Sequence, residues 1–153
     1  MPWLENRIPP PVVGALVAAA MWGASGLGPQ LALASLPRYV LAAVLVVAGL
    51  SFDALGILAF RRARTTINPL KPERASAMVA GGVYRVTRNP MYLGMALLLL
   101  AWAVWLSALL PFAGLLIYLQ YITQFQIKPE ERVLQGIFGE EYRRYARRVR
   151  RWL

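Results

Sequence analysis

Apolar residues fall into four long blocks separated by polar or basic stretches. They run from about Val12 to Leu33, from Tyr39 to Phe60, from Pro90 to about Leu106, and from Leu109 to Ile127. A hydrocarbon core of ~30 Å takes roughly 20 apolar residues in helical form, so each block reads as a transmembrane helix. The first is soft in its second half, where Gly23, Gly26, Gly28 and Pro29 gather, and it should end or kink near Pro29. Ser107 to Pro111 is the turn that folds the last two spans into a tight hairpin. The pattern predicts an all-α, polytopic membrane protein of about four spans, with one domain over residues 1–153.

Two polar segments frame the hairpin. Residues 61–89 form a long loop with turn formers at Asn68-Pro69, Lys71-Pro72 and Gly81-Gly82. Loops of this length are usually functional or disordered. Residues 128–153 form a tail in which Leu134, Phe138, Tyr142, Tyr145, Val149 and Trp152 recur at helical steps, with Arg residues between them. An amphipathic helix along the membrane surface is expected, weakened near its start by Gly136 and Gly139.

Composition and charge sharpen this picture. Hydrophobic residues make up 58% of the chain, and Cys and His are absent. Disulfides, thiolate nucleophiles, Cys/His metal sites and histidine bases are therefore excluded. The net charge of +10 flanks apolar spans, so anionic lipid is its expected partner and nucleic acid is not. Lys and Arg crowd residues 61–89 and 128–153 and are missing from the Ser107–Pro111 turn. The positive-inside rule then puts the loop, the tail and both termini in the cytoplasm.

Candidate chemistry gathers at that face. Asn89 and Pro90 suit the N-cap and first position of a helix. The same helix start can bind an anion, and Arg88 beside it would reinforce a carboxylate contact. Tyr92 suits an interfacial belt and Gly94 a close packing position. Glu130 and Glu131 sit where the last span leaves the membrane, so the hairpin should bring them near Asn89 and Tyr92. An acid there could hold a ribose hydroxyl or an ammonium group. Glu140 and Glu141 read as solvated ion-pair formers. Asp53 is the one acid inside a span, and intramembrane acids are costly enough to suggest a function.

Taken together, Gly82-Val83-Tyr84, Arg88-Asn89-Pro90-Met91-Tyr92-Leu93-Gly94, the hairpin, Glu130-Glu131, Phe138-Gly139-Glu140-Glu141-Tyr142 with Tyr145, and the basic tail resemble one family. This is the integral-membrane methyltransferase family related to isoprenylcysteine carboxyl methyltransferase. Phospholipid N-methyltransferases are similar more distantly. The likeness runs from about Ser76 to Arg150. It implies S-adenosyl-L-methionine as cofactor, bound at the cytoplasmic end of the last two spans. Carried over by position, the cofactor contacts fall on Met78, Val79, Tyr84, Asn89, Pro90, Met91, Tyr92 and Glu130, and Arg88 joins them as a carboxylate partner. Asn89 stands where the eukaryotic enzymes have His, which keeps a donor and removes a titrating group. Gln126 stands at their substrate-linked Arg position and is the candidate for substrate binding.

The resemblance implies methyl transfer to a lipophilic, lipid-like or prenyl-like acceptor. A carboxylate acceptor needs no base, whereas an amine must lose a proton, and Asp53, Glu130 or Glu131 could take it. Alternative readings are a phospholipid amine N-methyltransferase, a small four-span transporter that uses Asp53, and a basic membrane anchor. Polar residues concentrated at one face rather than the midplane argue against a transporter.

Overall fold

The computed structural model describes residues 5–64 and 77–153. The turns expected at Asn68-Pro69 and Lys71-Pro72 lie outside the described residues. The chain forms α1 (Pro10–Ala24), α2 (Ser35–Ala63), a short 3-10 turn (Gly82–Arg85), α3 (Pro90–Leu106), α4 (Pro111–Ile122), a π-helical segment (Thr123–Ile127) and α5 (Lys128–Arg148). The described residues contain one isolated bridge, between Gln30 and Ala108.

Helix α3 occupies the bounds its apolar block predicts, with Pro90 at its first position and Ser107 ending it in the left-handed conformation at φ 52°. Pro111 opens α4, so Ser107 to Pro111 makes the expected turn. Helix α2 extends beyond its block at both ends and stops where Arg64 turns left-handed at φ 50°. Its 29 residues reach about 44 Å, and it is one helix long and apolar enough to cross a membrane among the described residues. Helices α1 and α3 are shorter apolar helices.

One expectation is corrected. The first block ends at Ala24 rather than Leu33. Glycines favour leaving the helix there, and Pro29 disfavours helical backbone at the residue before it. The freed strand runs back to the hairpin turn, where Leu31 N–H donates to Ser107 O at 2.7 Å and Leu109 N–H donates to Pro29 O at 3.0 Å. α4 continues through the π-helical segment into α5, and the true break comes at Gly139, φ 51°. Glycine alone takes that conformation freely.

Helix α3 is the packing centre. It lies against α1, α2 and α4, with Ala103 and Leu99 in the core. Small residues permit the closest approach. A Cβ at Gly49 of α2 would lie 2.8 Å from Gly94 O of α3, and one at Gly56 would meet Met91 Cγ at 2.7 Å. Backbones this close gain van der Waals contact without relying on a hydrophobic force. On the other side, Gly114 of α4 makes room for Met21 of α1, and Trp102 Nε1 donates to Ala18 O at 3.1 Å. The outer faces are apolar and open: Leu36 of α2 is 74% exposed and Leu116 of α4 is 66% exposed.

Candidate functional site

A cavity of about 420 Å³ lies where α2, the Met78–Tyr84 stretch, the start of α3 and the start of α5 converge. Its volume is in the range of small-molecule sites, roughly 300–1,000 Å³. Ile57 and Phe60 of α2, Met91 and Met95 of α3, Pro10 and Pro11 of α1, and Leu134 of α5 make the apolar part. Arg88, Asn89, Glu130, Glu131 and the rings of Tyr84, Tyr92, Tyr142 and Tyr145 make the polar part, and Asp53 adds a carboxylate from α2.

Each polar wall follows from local sequence. Pro129 and the two acids after it form the first turn of α5. Because α3 and α4 form a hairpin, that opening sits beside the start of α3. Tyr92 OH donates to Glu130 Oε1 at 2.5 Å. Burial raises the Glu130 carboxyl to about 8; the Tyr92 hydrogen bond acts against this rise, and the charge of Glu131 adds to it. Glu130 is thus a carboxyl that exchanges its proton near neutral pH.

Glu131 has a different setting. Its Oε1 lies 3.1 Å from Arg88 Nη2, and it accepts from Arg151 Nε at 3.0 Å and Nη2 at 2.7 Å. Two guanidiniums thus occupy both oxygens of the Glu131 carboxylate.

The tail closes the rim. Arg88 N–H donates to Arg150 O at 2.9 Å. Thr87 Oγ1 and Asn89 Nδ2 both donate to Arg151 O, at 3.1 and 2.9 Å. Trp152 Nε1 donates to Thr123 Oγ1 at 3.2 Å in the π-helical segment. Asn89 occupies the N-cap position of α3, but its side chain makes no capping bond. One of its amide hydrogens is already on Arg151. Tyr145 OH donates to Tyr84 O at 2.8 Å, tying α5 to the segment before α3. Burial pushes the Tyr142 phenol up to about 12, and it raises Tyr84 and Tyr145 further. All three stay protonated donors at neutral pH.

Of the residues singled out from sequence, Met78, Val79, Tyr84, Arg88, Asn89, Met91, Tyr92 and Glu130 line this one cavity, as do Asp53 and Glu131. Pro90 stands behind the wall, with its Cγ over Gly56. Gln126 is not among the lining residues. It is fully buried, and its Nε2 donates to Ile8 O at 2.8 Å. The π-helical segment directs it at the N-terminal turn, which Asn6 N–H also fastens to Phe125 O at 3.0 Å. Sequence reasoning missed Pro10, Pro11, Tyr142, Tyr145 and Arg151. For α2 a signal existed: Gly49, Asp53, Gly56 and Phe60 share one helical face through steps of four, three and four.

The phospholipid methyltransferase family matches this chain over residues 37–141. The chain belongs to that family. The match begins at the start of α2 and ends just before Tyr142, so it encloses most of the cavity wall. Family membership makes the protein a membrane methyltransferase in general terms. A stretch of 63 residues is 52% identical to an uncharacterized protein of Haemophilus influenzae, covering 41% of this chain and 100% of that protein. No solved structure matches the chain. The loop-to-α3 junction and the start of α5 form two polar walls of one cavity within the matched residues.

Proposed function

We propose that this protein uses S-adenosyl-L-methionine to methylate a lipophilic acceptor at the cytoplasmic face of a membrane. The observation that carries the reading is the meeting of Arg88, Asn89, Tyr92 and Glu130 in one cavity with an apolar flank, in a chain of the phospholipid methyltransferase family.

The residues present fit the cofactor chemically. Its carboxylate calls for a cation, and Arg88 lines the cavity with its Nε–H buried and unpaired among the described residues. Its ammonium and ribose hydroxyls call for an acceptor, which Glu130 supplies. Its adenine and sulfonium suit the Phe60, Tyr84 and Met78 surfaces, because cations are attracted to aromatic faces. Bound there, it supplies an electrophilic methyl group on sulfur. The chain's own residues align the partners and keep bulk water from the apolar flank. When the acceptor is an amine, Glu130 or Asp53 takes the proton it must lose.

The membrane placement belongs to the same reading. Four spans are formed by α1, α2, α3 and α4 with its π-helical extension, and the basic loop and tail face the cytoplasm. The exposed apolar faces of α2 and α4 support it, and an acceptor with an apolar tail suits such a setting. The closeness to isoprenylcysteine-type enzymes favours a prenyl-like acceptor; the family's name favours a phospholipid amine. Purified protein incubated with a lipid extract and isotopically labelled S-adenosyl-L-methionine, followed by mass spectrometry, should yield a labelled lipophilic product. Label transferred only to water-soluble acceptors would overturn the lipophilic assignment.

A further inference from the structure

We infer that Arg151, in the C-terminal tail, is a positioning residue that keeps the cation of Arg88 available to an anionic ligand group by holding the opposing carboxylate, Glu131. The inference rests on the cofactor reading above.

Arg88 and Glu131 alone would form a neutral pair with side chains largely buried, 13% and 17% exposed. A neutral, partly buried pair has little attraction left for a ligand carboxylate. Arg151 changes this balance. Its planar fork takes both oxygens of Glu131, in the bidentate geometry that makes guanidinium–carboxylate pairs strong. Two guanidiniums now face one carboxylate; Arg88 and Glu131 line the cavity, and the cluster as a whole is positive. The hydrogen bonds that Arg151 donates to Glu131 also favour its charged form.

The backbone of the same residue sets geometry. Arg151 O collects Thr87 Oγ1 and Asn89 Nδ2, and Arg150 O collects Arg88 N–H. The tail therefore fixes the main chain on both sides of Arg88 while its side chain offsets Glu131. A surface ion pair would do neither. Arg147 with Glu140 shows the contrast: both are exposed, and neither lines the cavity.

The test compares two ligands that differ at the amino-acid end. S-adenosylhomocysteine carries the carboxylate, and 5′-methylthioadenosine lacks it. Both are titrated by calorimetry into wild-type, Arg151→Gln, Arg151→Lys and Glu131→Gln/Arg151→Gln proteins. Arg151→Gln should weaken S-adenosylhomocysteine by about tenfold or more, the loss expected for a charge-assisted contact, with methylthioadenosine affinity unchanged. Arg151→Lys should recover part of the loss, since an ammonium offsets charge but lacks the fork. The double variant should recover most of it, because removing Glu131's charge frees Arg88 again. It also carries the test where Arg151→Gln alone fails to fold. Equal losses for both ligands, or a double variant weaker than the single one, would overturn the assignment. Wild-type protein that binds neither ligand overturns the cofactor reading and the assignment with it.

Discussion

Tyr92 and Glu130 are joined hydroxyl to carboxyl at 2.5 Å, from the first turn of α3 to the first turn of α5. This one bond measures how closely the α3–α4 hairpin brings the two polar jaws together. Glu130→Gln keeps an acceptor for Tyr92 and removes the ionisable carboxyl. It should fold normally and bind the cofactor about tenfold or more weakly, since a hydrogen bond to a charged group is lost. Tyr92→Phe should instead cost stability, about 1–3 kcal/mol, by leaving a buried carboxyl oxygen unpaired. Calorimetry and denaturation of the two variants should separate these effects.

Glu130 also sets a pH dependence. Its carboxyl is raised from 4.5 to about 8 in the folded protein, chiefly by burial. Between those values the folded state keeps a proton that the unfolded chain releases. Stability should therefore fall as pH rises through this window and level off above it. The slope from this group is at most ~1.4 kcal/mol per pH unit. Unfolding midpoints for wild type and Glu130→Gln, measured from pH 5 to 9, should converge at low pH and diverge in the variant's favour at high pH.

Gly94 tests the α2–α3 crossing. A Cβ there would collide with Asp53 Oδ1 and lie 2.7 Å from Gly49 O. Gly94→Ala must push α2 away or turn the Asp53 carboxylate. Overpacking of this kind costs about 1–3 kcal/mol. The melting temperature should drop, and Gly23→Ala, where a Cβ meets nothing within 4 Å, should leave it nearly unchanged.

Gln126 separates a structural role from a substrate role. Gln126→Ala strands Ile8 O, which now accepts from Nε2 at 2.8 Å. The expected result is a stability loss of about 1–3 kcal/mol with cofactor affinity retained. A large rise in acceptor KM at unchanged stability would instead assign Gln126 to substrate binding.

Much of the site was legible because its signals were local. Pro90 after Asn89 marks the start of α3, Pro111 marks the hairpin, and Pro129 before two acids marks the start of α5. Short hairpin geometry then brings Tyr92 to Glu130. Other features depended on distant pairings. Nothing near Gln126 says that a π-helical segment turns it toward Ile8. The basic tail reads as an amphipathic surface helix, and nothing in its spacing singles out Arg151 as the residue that grips Glu131. The length of the first block misled because apolarity does not distinguish Leu27 and Leu33 in an irregular strand from the same residues in a helix. Glycine and proline placement decided between them.

The most direct measurement is titration of purified, detergent-solubilised protein with S-adenosylhomocysteine, on samples shown to unfold cooperatively. Saturable binding by the wild type, largely lost in Glu130→Ala, is the predicted result. A folded wild-type protein that shows no binding, or a Glu130→Ala variant with unchanged affinity, would contradict the account.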